Sequence, residues 1–168
     1  MLENKKGEYD LLKNKSYERK MKKIFLTLII VLAVFAFGCS DKEKAALESE
    51  MLWTNGNIGA VQNGPSNPTV ITLEQDAKVV AVMNYHYFND GVKPGTISLI
   101  GADGTEYGPW QAKGRVGQGN VENAYWDTFP NIELKAGDYE VIDSNPATWS
   151  QNDESGNTGF TEVRGSYL

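Results

Sequence analysis

The chain has 168 residues with 16 lysines and arginines against 22 aspartates and glutamates, which gives a formal net charge of −6. An acidic chain of this kind is a poor candidate for binding nucleic acid, because phosphate contacts require clustered lysine and arginine. It has one cysteine and one histidine. An intrachain disulfide and a zinc site built from several histidines are therefore both excluded.

The first 38 residues divide into an extension and a signal sequence. Residues 1–20 are charged and have no continuous apolar face, so we interpret them as lying upstream of the true initiator, Met21, with a cytoplasmic extension as the alternative. Residues 21–38 place two lysines before an apolar run, Ile24–Phe37, which is the pattern of a secretory signal peptide. The run is too short to span a bilayer, for which a helix needs about 20 apolar residues.

The single cysteine, Cys39, follows this run directly. The ending Ala36-Phe37-Gly38-Cys39 resembles the lipobox of bacterial lipoproteins, although that family prefers leucine three places before the cysteine and a small residue two places before it. The resemblance implies cleavage before Cys39, acyl chains on its thiol, and an anchored protein of the bacterial cell envelope that faces the periplasm or the cell exterior. Residues 39–51 would then be a polar, lipidated tether. Because residues 1–38 hold eight basic and four acidic groups, the mature chain would carry 8 basic against 18 acidic groups, a net charge of −10.

Residues 52–168 are predicted to form one β domain. Short β-branched and aromatic runs alternate with Gly, Pro, Asn and Asp, and no segment shows a sustained helical period. Asp103-Gly104 between two such runs predicts a hairpin. About eight short strands with frequent turns favour an antiparallel β-sandwich, jelly-roll-like, with a small β-barrel as the alternative. The predicted strands are Thr69–Leu73, Ala77–Phe88, Thr96–Ile100, Thr105–Trp110, Ala124–Phe129, Asn131–Leu134, Tyr139–Asp143 and Gly159–Arg164, with a long polar loop at Ser144–Thr158.

Several motifs of this domain occur together: Tyr85-His86-Tyr87, Pro94–Leu99, Tyr107–Trp110, Ala124-Tyr125-Trp126, Pro130-Asn131, Leu134–Tyr139 and Asp143–Ser150. As a set they resemble an uncharacterised domain of exported bacterial proteins, and the resemblance covers nearly all of the predicted domain. It implies an exported β-sandwich module. It brings no activity, cofactor or site residue with it.

Few residues could carry catalysis. His86 is the single histidine and lies in the most apolar predicted strand, and the chain has no Gly-x-Ser-x-Gly motif of a serine hydrolase. We therefore interpret His86 as a hydrogen-bonded structural residue, and no spacing singles out two carboxylates for glycoside hydrolysis. The glycine-rich stretch Gly114–Asn120 has no predicted helix after it, so it is interpreted as a hairpin connection rather than a phosphate-binding loop. The sequence predicts a protein that is not an enzyme.

Aromatic side chains are better candidates for a binding site, because exposed rings offer flat apolar faces with polar edges to sugars or proteins. Trp110 lies at the end of a predicted strand and Trp149 in the long polar loop, where binding residues gather. The alternative for each ring is a place in the core. The predicted ligand-binding residues are Trp110, Trp126, Trp149, Tyr85 and His86.

Loops rich in Asp and Asn could hold a structural calcium ion, since hard cations prefer carboxylate and carbonyl oxygens. The predicted metal residues are Asp90, Asp143 and Asp153. The chain has no EF-hand spacing, and Asp and Asn are also frequent in such loops because they form turns. No other cofactor is implied.

These observations favour a lipid-anchored, non-catalytic binding module that recognises a glycan or an envelope protein through loop aromatics. Its membrane contact would be made by acyl chains on Cys39. An accessory envelope lipoprotein that acts in protein assembly is the alternative, and a small hydrolase using His86 is the third hypothesis.

Overall fold

The computed structural model describes residues 41–168. The predicted extension, the signal peptide and the lipidated Cys39 lie outside the described residues. The described part of the chain forms two antiparallel β-sheets packed face to face, with one short α-helix and three 3-10 turns. None of the helices in this part of the chain is long and apolar enough to cross a membrane.

Twelve strands follow the helix in chain order. The elements are α1 (Asp41–Glu48), β1 (Glu50–Thr54), β2 (Gln62–Asn63), β3 (Thr69–Leu73), β4 (Ala77–Tyr85), β5 (Thr96–Gly101), β6 (Glu106–Gln111), β7 (Lys113–Arg115), β8 (Tyr125–Thr128), β9 (Ile132–Leu134), β10 (Gly137–Asp143), β11 (Ser150–Gln151) and β12 (Thr161–Tyr167), with 3-10 turns at Gln118–Asn120, Pro146–Thr148 and Asp153–Ser155. The larger sheet has the order β1-β12-β4-β8-β7, with β9 also paired to β4, and the smaller sheet has the order β3-β10-β5-β6. β2 and β11 form a separate two-stranded ribbon.

The hydrophobic core lies between the two sheets. On β3, buried and exposed residues alternate along the whole strand, because successive side chains of a strand point to opposite faces. Burying each aliphatic side chain contributes about 1.5–3 kcal/mol, so these positions supply most of the driving force for folding. The core includes Ile71, Leu73, Val79, Val82, Ile97, Leu99, Trp126, Val141 and Val163.

The predicted β-sandwich is confirmed, and the barrel alternative is wrong. In the described residues both sheets end in edge strands, β1 and β7 in the larger sheet and β3 and β6 in the smaller one. The hairpin predicted at Asp103-Gly104 joins β5 to β6, where Leu99 pairs with Tyr107. Gly104 has φ +83°, a conformation that glycine adopts without steric cost.

The segment predicted as a tether, residues 39–51, is largely part of the folded domain. From Asp41 onward it forms α1 and then β1, which pairs with β12 through Trp53 and Val163. Glu43 on α1 also bonds to Lys113 on β7, with 2.7 Å between Oε1 and Nζ. The polar composition predicted a tether, but pairing with β12 gives the end of this segment backbone hydrogen bonds that composition does not reveal.

The predicted polar loop Ser144–Thr158 is also more ordered than expected. It contains β11 and two 3-10 turns, and Trp149 and Ser150 are buried within it. By contrast, the long predicted strand Ala77–Phe88 ends earlier, at Tyr85.

A bulge in β4 decides which side chains face outward. Pairing with β12 skips a residue of β4 between Val79 and Ala81, and such an extra residue reverses the alternation of the strand. Val79 is buried before the bulge, and Val82 and Asn84 are buried after it. As a result, Met83 and Tyr85 lie on the outer face of the larger sheet.

Candidate functional site

A cleft of about 480 Å³ lies on the outer face of the larger sheet, and we call it the aromatic cleft. Strands β4, β8 and β12 supply its floor, and the loop Gly56–Val61 after β1 supplies one wall. Its volume falls in the range of about 300–1,000 Å³ that is usual for small-ligand sites. The lining residues outside the loop are Thr54, Met83, Tyr85, Tyr87, Phe88, Gln118, Tyr125, Phe160, Thr161 and Glu162.

Tyr85 is the centre of the aromatic lining. Antiparallel pairing places it directly beside Tyr125 of β8, with ring centroids 4.8 Å apart. Tyr87 lies two residues further along the same face, 6.0 Å from Tyr85 between centroids, and Phe160 stacks near Tyr85 at 6.5 Å. Phe88 meets the edge of Tyr87 at 4.8 Å. Four partly or fully exposed rings and the buried Phe160 beside them therefore form one continuous aromatic cluster.

The spacing of these rings limits how they can hold a ligand. A group held between two parallel rings needs roughly 7–8 Å, because each contact takes about 3.5–4.0 Å. Tyr85 and Tyr125 are only 4.8 Å apart, so they contact each other instead of forming a cage. A ligand can therefore lie along the ring surface, and the hydroxyls provide hydrogen bonds at its edge.

The hydroxyl of Tyr85 remains a hydrogen-bond donor over the whole physiological pH range. Partial burial raises the pKa of Tyr85 to about 12, and the neighbouring Tyr125 and Tyr87 add to the shift. Desolvation has this effect because it disfavours the charged phenolate.

Tyr125 is held in place by a cation. The Arg115 guanidinium lies 4.2 Å from the centre of its ring, an arrangement that contributes about 0.5–1 kcal/mol at exposed sites. Arg115 in turn donates to both carboxylate oxygens of Asp127, at 2.8 Å and 3.3 Å. The hydrogen bond that Arg115 donates to this carboxylate raises the pKa of the guanidinium, so the stacked cation stays charged.

The loop wall is fixed by a single buried amide, Asn152. Its Nδ2 donates to Asn57 Oδ1 at 2.8 Å and to the Ala60 carbonyl at 3.3 Å. Its Oδ1 accepts from Asn57 Nδ2 at 3.0 Å and from the Ser155 backbone N–H at 3.0 Å. One side chain thus ties the wall of the aromatic cleft to the 3-10 turn that begins after β11.

Two of the predicted ligand-binding residues, Trp126 and Trp149, belong to the core. Their exposed fractions are 0% and 3%, so neither ring offers a face to a ligand. The prediction that Trp126 and Trp149 contact a ligand is therefore wrong. Trp149 donates from Nε1 to the Phe160 carbonyl at 2.9 Å. Gly159 packs so closely on its indole that an added Cβ would lie 2.1 Å from Cε2.

The other three predicted binding residues have different positions. Tyr85 lies at the centre of the aromatic cleft. Trp110 is partly exposed on β6 of the smaller sheet and does not line the cleft. His86 is fully buried and stacks on Trp126 with 3.8 Å between ring centroids, so it cannot touch a ligand in this structure.

His86 belongs to a buried polar network. Its Nε2 lies 3.1 Å from Asp143 Oδ2, and its Nδ1 lies 3.0 Å from Thr148 Oγ1. Asn84 also donates to Asp143 Oδ2 at 2.8 Å and accepts from the Thr161 hydroxyl at 2.8 Å. The network joins β4, β10 and β12 and fixes the turn that follows β10, as the interpretation of His86 as a structural residue requires.

The three aspartates proposed for calcium do not form one site. Asp143 is buried in the polar network, whereas Asp90 and Asp153 are exposed in separate turns. Within residues 41–168, no group of three or more His, Cys, Asp or Glu side chains is placed to hold a metal ion.

Sequence reasoning did not find the wall of the aromatic cleft, Glu162 or the role of Asn152. The spacing of Tyr85 and Tyr87 was a usable signal, since two tyrosines separated by one residue share a face of a strand.

Comparison with protein-family models, with curated proteins and with solved structures finds no match to this chain.

Proposed function

We propose that this chain is a lipid-anchored, non-catalytic, extracytoplasmic module that binds carbohydrate in the aromatic cleft. The observation that carries the proposal is the continuous ring surface of Tyr85, Tyr87 and Tyr125 within a 480 Å³ cleft. The apolar C–H faces of a sugar pack well on such rings. Its hydroxyls find partners in the tyrosine hydroxyls, Asn57 and Gln118, which border the same rings.

The lack of a carboxylate pair among the described lining residues supports binding without hydrolysis. Most glycoside hydrolases use a pair of carboxylates on either side of the scissile bond. Glu162 is the single carboxylate among the described residues that line the aromatic cleft. The burial of His86 likewise argues against the hydrolase hypothesis, because a general base must reach its substrate.

The anchor is proposed from the lipobox-like sequence that ends at Cys39. Ser40 alone separates Cys39 from the start of α1 at Asp41. Acyl chains on Cys39 would therefore hold the domain close to the membrane, without a long spacer. Stable anchoring of this kind takes more than one chain.

A role in binding an envelope protein, as in the assembly alternative, has one observation in its favour. Ile58 is fully exposed and Phe88 is 54% exposed, and both border the aromatic cleft. Exposed apolar side chains beside a pocket also suit a protein partner.

A glycan array probed with the full chain in detergent tests the proposal. We expect saturable binding to at least one oligosaccharide, and Tyr85→Ala should weaken it about tenfold, since an aromatic contact is worth about 0.5–1.5 kcal/mol beyond its burial. Tyr107→Ala, a tyrosine of the smaller sheet outside the cleft, is the matched control and should bind as the wild type does. If no saccharide binds while the protein captures a specific envelope protein through Ile58 and Phe88, the assembly alternative is correct.

A further inference from the structure

We propose that the aromatic cleft selects uncharged glycans over acidic ones and that Glu162 is the residue that sets this selectivity. This inference rests on the proposed carbohydrate function and adds the class of sugar to it. It follows from the charges in and around the cleft.

The lining of the aromatic cleft carries a negative charge and lacks a positive one. Glu162 lies on the floor, and no lysine, arginine or histidine is among the described lining residues. The carboxylate of an acidic sugar is usually bound by arginine or lysine, which form charge-assisted hydrogen bonds. In this cleft an acidic sugar would give up its hydration without gaining such a partner.

The nearest cations are already engaged. Arg115 is held by Asp127 through two hydrogen bonds and covers the Tyr125 ring. Arg164 donates from Nε to Oε1 of Glu162 and from Nη1 to the Ser49 carbonyl at 3.3 Å. Either arginine would have to leave its partner to bind an acidic sugar, and the residues from 39 onward carry a net charge of −10 that adds long-range repulsion.

An uncharged sugar meets no such barrier. Glu162 Oε1 accepts from Arg164, and Oε2 can accept from a sugar hydroxyl, in a charge-assisted hydrogen bond that is stronger than a neutral one. Tyr85, whose hydroxyl stays protonated, supplies the complementary donor. The cleft therefore combines a ring surface, a donor and an anionic acceptor, which is the set that a polyhydroxylated, uncharged ligand requires.

The test compares matched sugars that differ only in the group at C6, which is a neutral hydroxymethyl group or a carboxylate. The probes are hexamers of β-linked glucose, mannose and N-acetylglucosamine, each used as such and after oxidation of the C6 hydroxyls to carboxylates. Affinities are measured by calorimetry on the full chain in detergent, at low and at physiological salt. Glu162→Gln keeps the shape, removes the negative charge and releases Arg164 from its ion pair, and both changes favour an acidic sugar. Glu140→Gln is the control for loss of a carboxylate elsewhere, because Glu140 is exposed on β10 of the smaller sheet.

We expect at least one uncharged hexamer to bind and its oxidised form to bind several-fold more weakly, because the added carboxylate meets no free cation and lies near Glu162, whose charge Arg164 offsets only in part. The difference should shrink several-fold in Glu162→Gln and as salt rises, but not in Glu140→Gln. An oxidised hexamer that binds the wild type as tightly as its parent, with loss in Tyr85→Ala, would overturn this inference and leave the carbohydrate function standing. If none of the six probes and no saccharide of the glycan array binds, the carbohydrate function and this inference both fail.

Discussion

Replacing Asn152 by alanine should loosen the wall of the aromatic cleft and lower the stability of the whole domain. Asn152 is 8% exposed, and its side chain makes four hydrogen bonds, two through Nδ2 and two through Oδ1. Each contributes about 0.5–1.5 kcal/mol net, and the loss is greater where a buried partner stays unpaired. Water can reach part of the loop around Asn57 and can replace some of the lost hydrogen bonds. We therefore expect Asn152→Ala to lower the free energy of unfolding by about 2–3 kcal/mol in total.

Urea unfolding followed by tryptophan fluorescence measures this loss. The four tryptophans of the chain provide the signal, and the slope of the transition should stay constant while the midpoint falls. For a domain of this size the expected loss lowers the Tm by roughly 8–12 °C. Amide exchange in the loop Gly56–Val61 should accelerate more than exchange in β10, because the loop loses its anchor.

Two variants separate the role of Asn152 from a general effect of removing an amide. Asn152→Asp keeps the acceptor for the Ser155 N–H and loses the donors to Asn57 and Ala60. Its free energy of unfolding should therefore lie between those of the wild type and Asn152→Ala. Asn67→Ala removes one exposed hydrogen bond to the Gly156 carbonyl and should cost about 0.5–1 kcal/mol. If Asn152→Ala is as stable as Asn67→Ala and its loop exchanges like the wild type, Asn152 does not hold the wall.

Three further outcomes are expected. His86→Ala should cost about 2–4 kcal/mol in urea unfolding, because it removes two buried hydrogen bonds and the ring that stacks on Trp126, and a variant of wild-type stability would show that the network is not structural. Trp149→Ala should cost about 3–5 kcal/mol and Trp110→Ala clearly less, since only the first ring is fully buried; similar losses would contradict this placement of the two rings. The pKa of Tyr85 is raised from 10 to about 12, so the stability that it contributes is complete below pH 10 and is lost as the pH rises towards 12. Alkaline unfolding should therefore be less steep with pH in Tyr85→Phe than in the wild type, and equal slopes would show that Tyr85 is not desolvated.

The sandwich could be predicted from the sequence because its signals are local. Alternating runs such as Thr69–Leu73 and turn residues such as Asp103-Gly104 carry the same information in any context. The strand boundaries of Thr69–Leu73 and the start of β4 at Ala77 agree with the prediction. The end of β4 does not agree, because the apolar run continues past the last residue that pairs with a neighbouring strand.

The site could be predicted only in part. Tyr85, one of the predicted binding residues, lines the aromatic cleft. Trp126 and Tyr125 are adjacent large aromatic residues on β8, but Trp126 faces the core. Which of two adjacent rings faces inward is set by register, and here Trp126 pairs with the buried Asn84 while Tyr125 pairs with Tyr85. A local pattern cannot reveal that choice.

The wall of the cleft depends on contacts that are distant in sequence. Asn57 and Asn152 are 95 residues apart and meet only in the folded chain. In the same way, the polar residues before β1 resemble a linker, and Glu50 and Met51 become part of a strand because β12 lies beside them. Tertiary pairing overrides local preference at both places.

An NMR titration of the full chain in detergent micelles with the β-linked glucose, mannose and N-acetylglucosamine hexamers tests the proposed cleft most directly. We expect saturable chemical-shift changes with at least one hexamer, confined to Tyr85, Tyr87, Tyr125 and the loop Gly56–Val61. Changes centred on Trp110 and the smaller sheet, or no saturable change with any of the three, would contradict a carbohydrate site in the aromatic cleft.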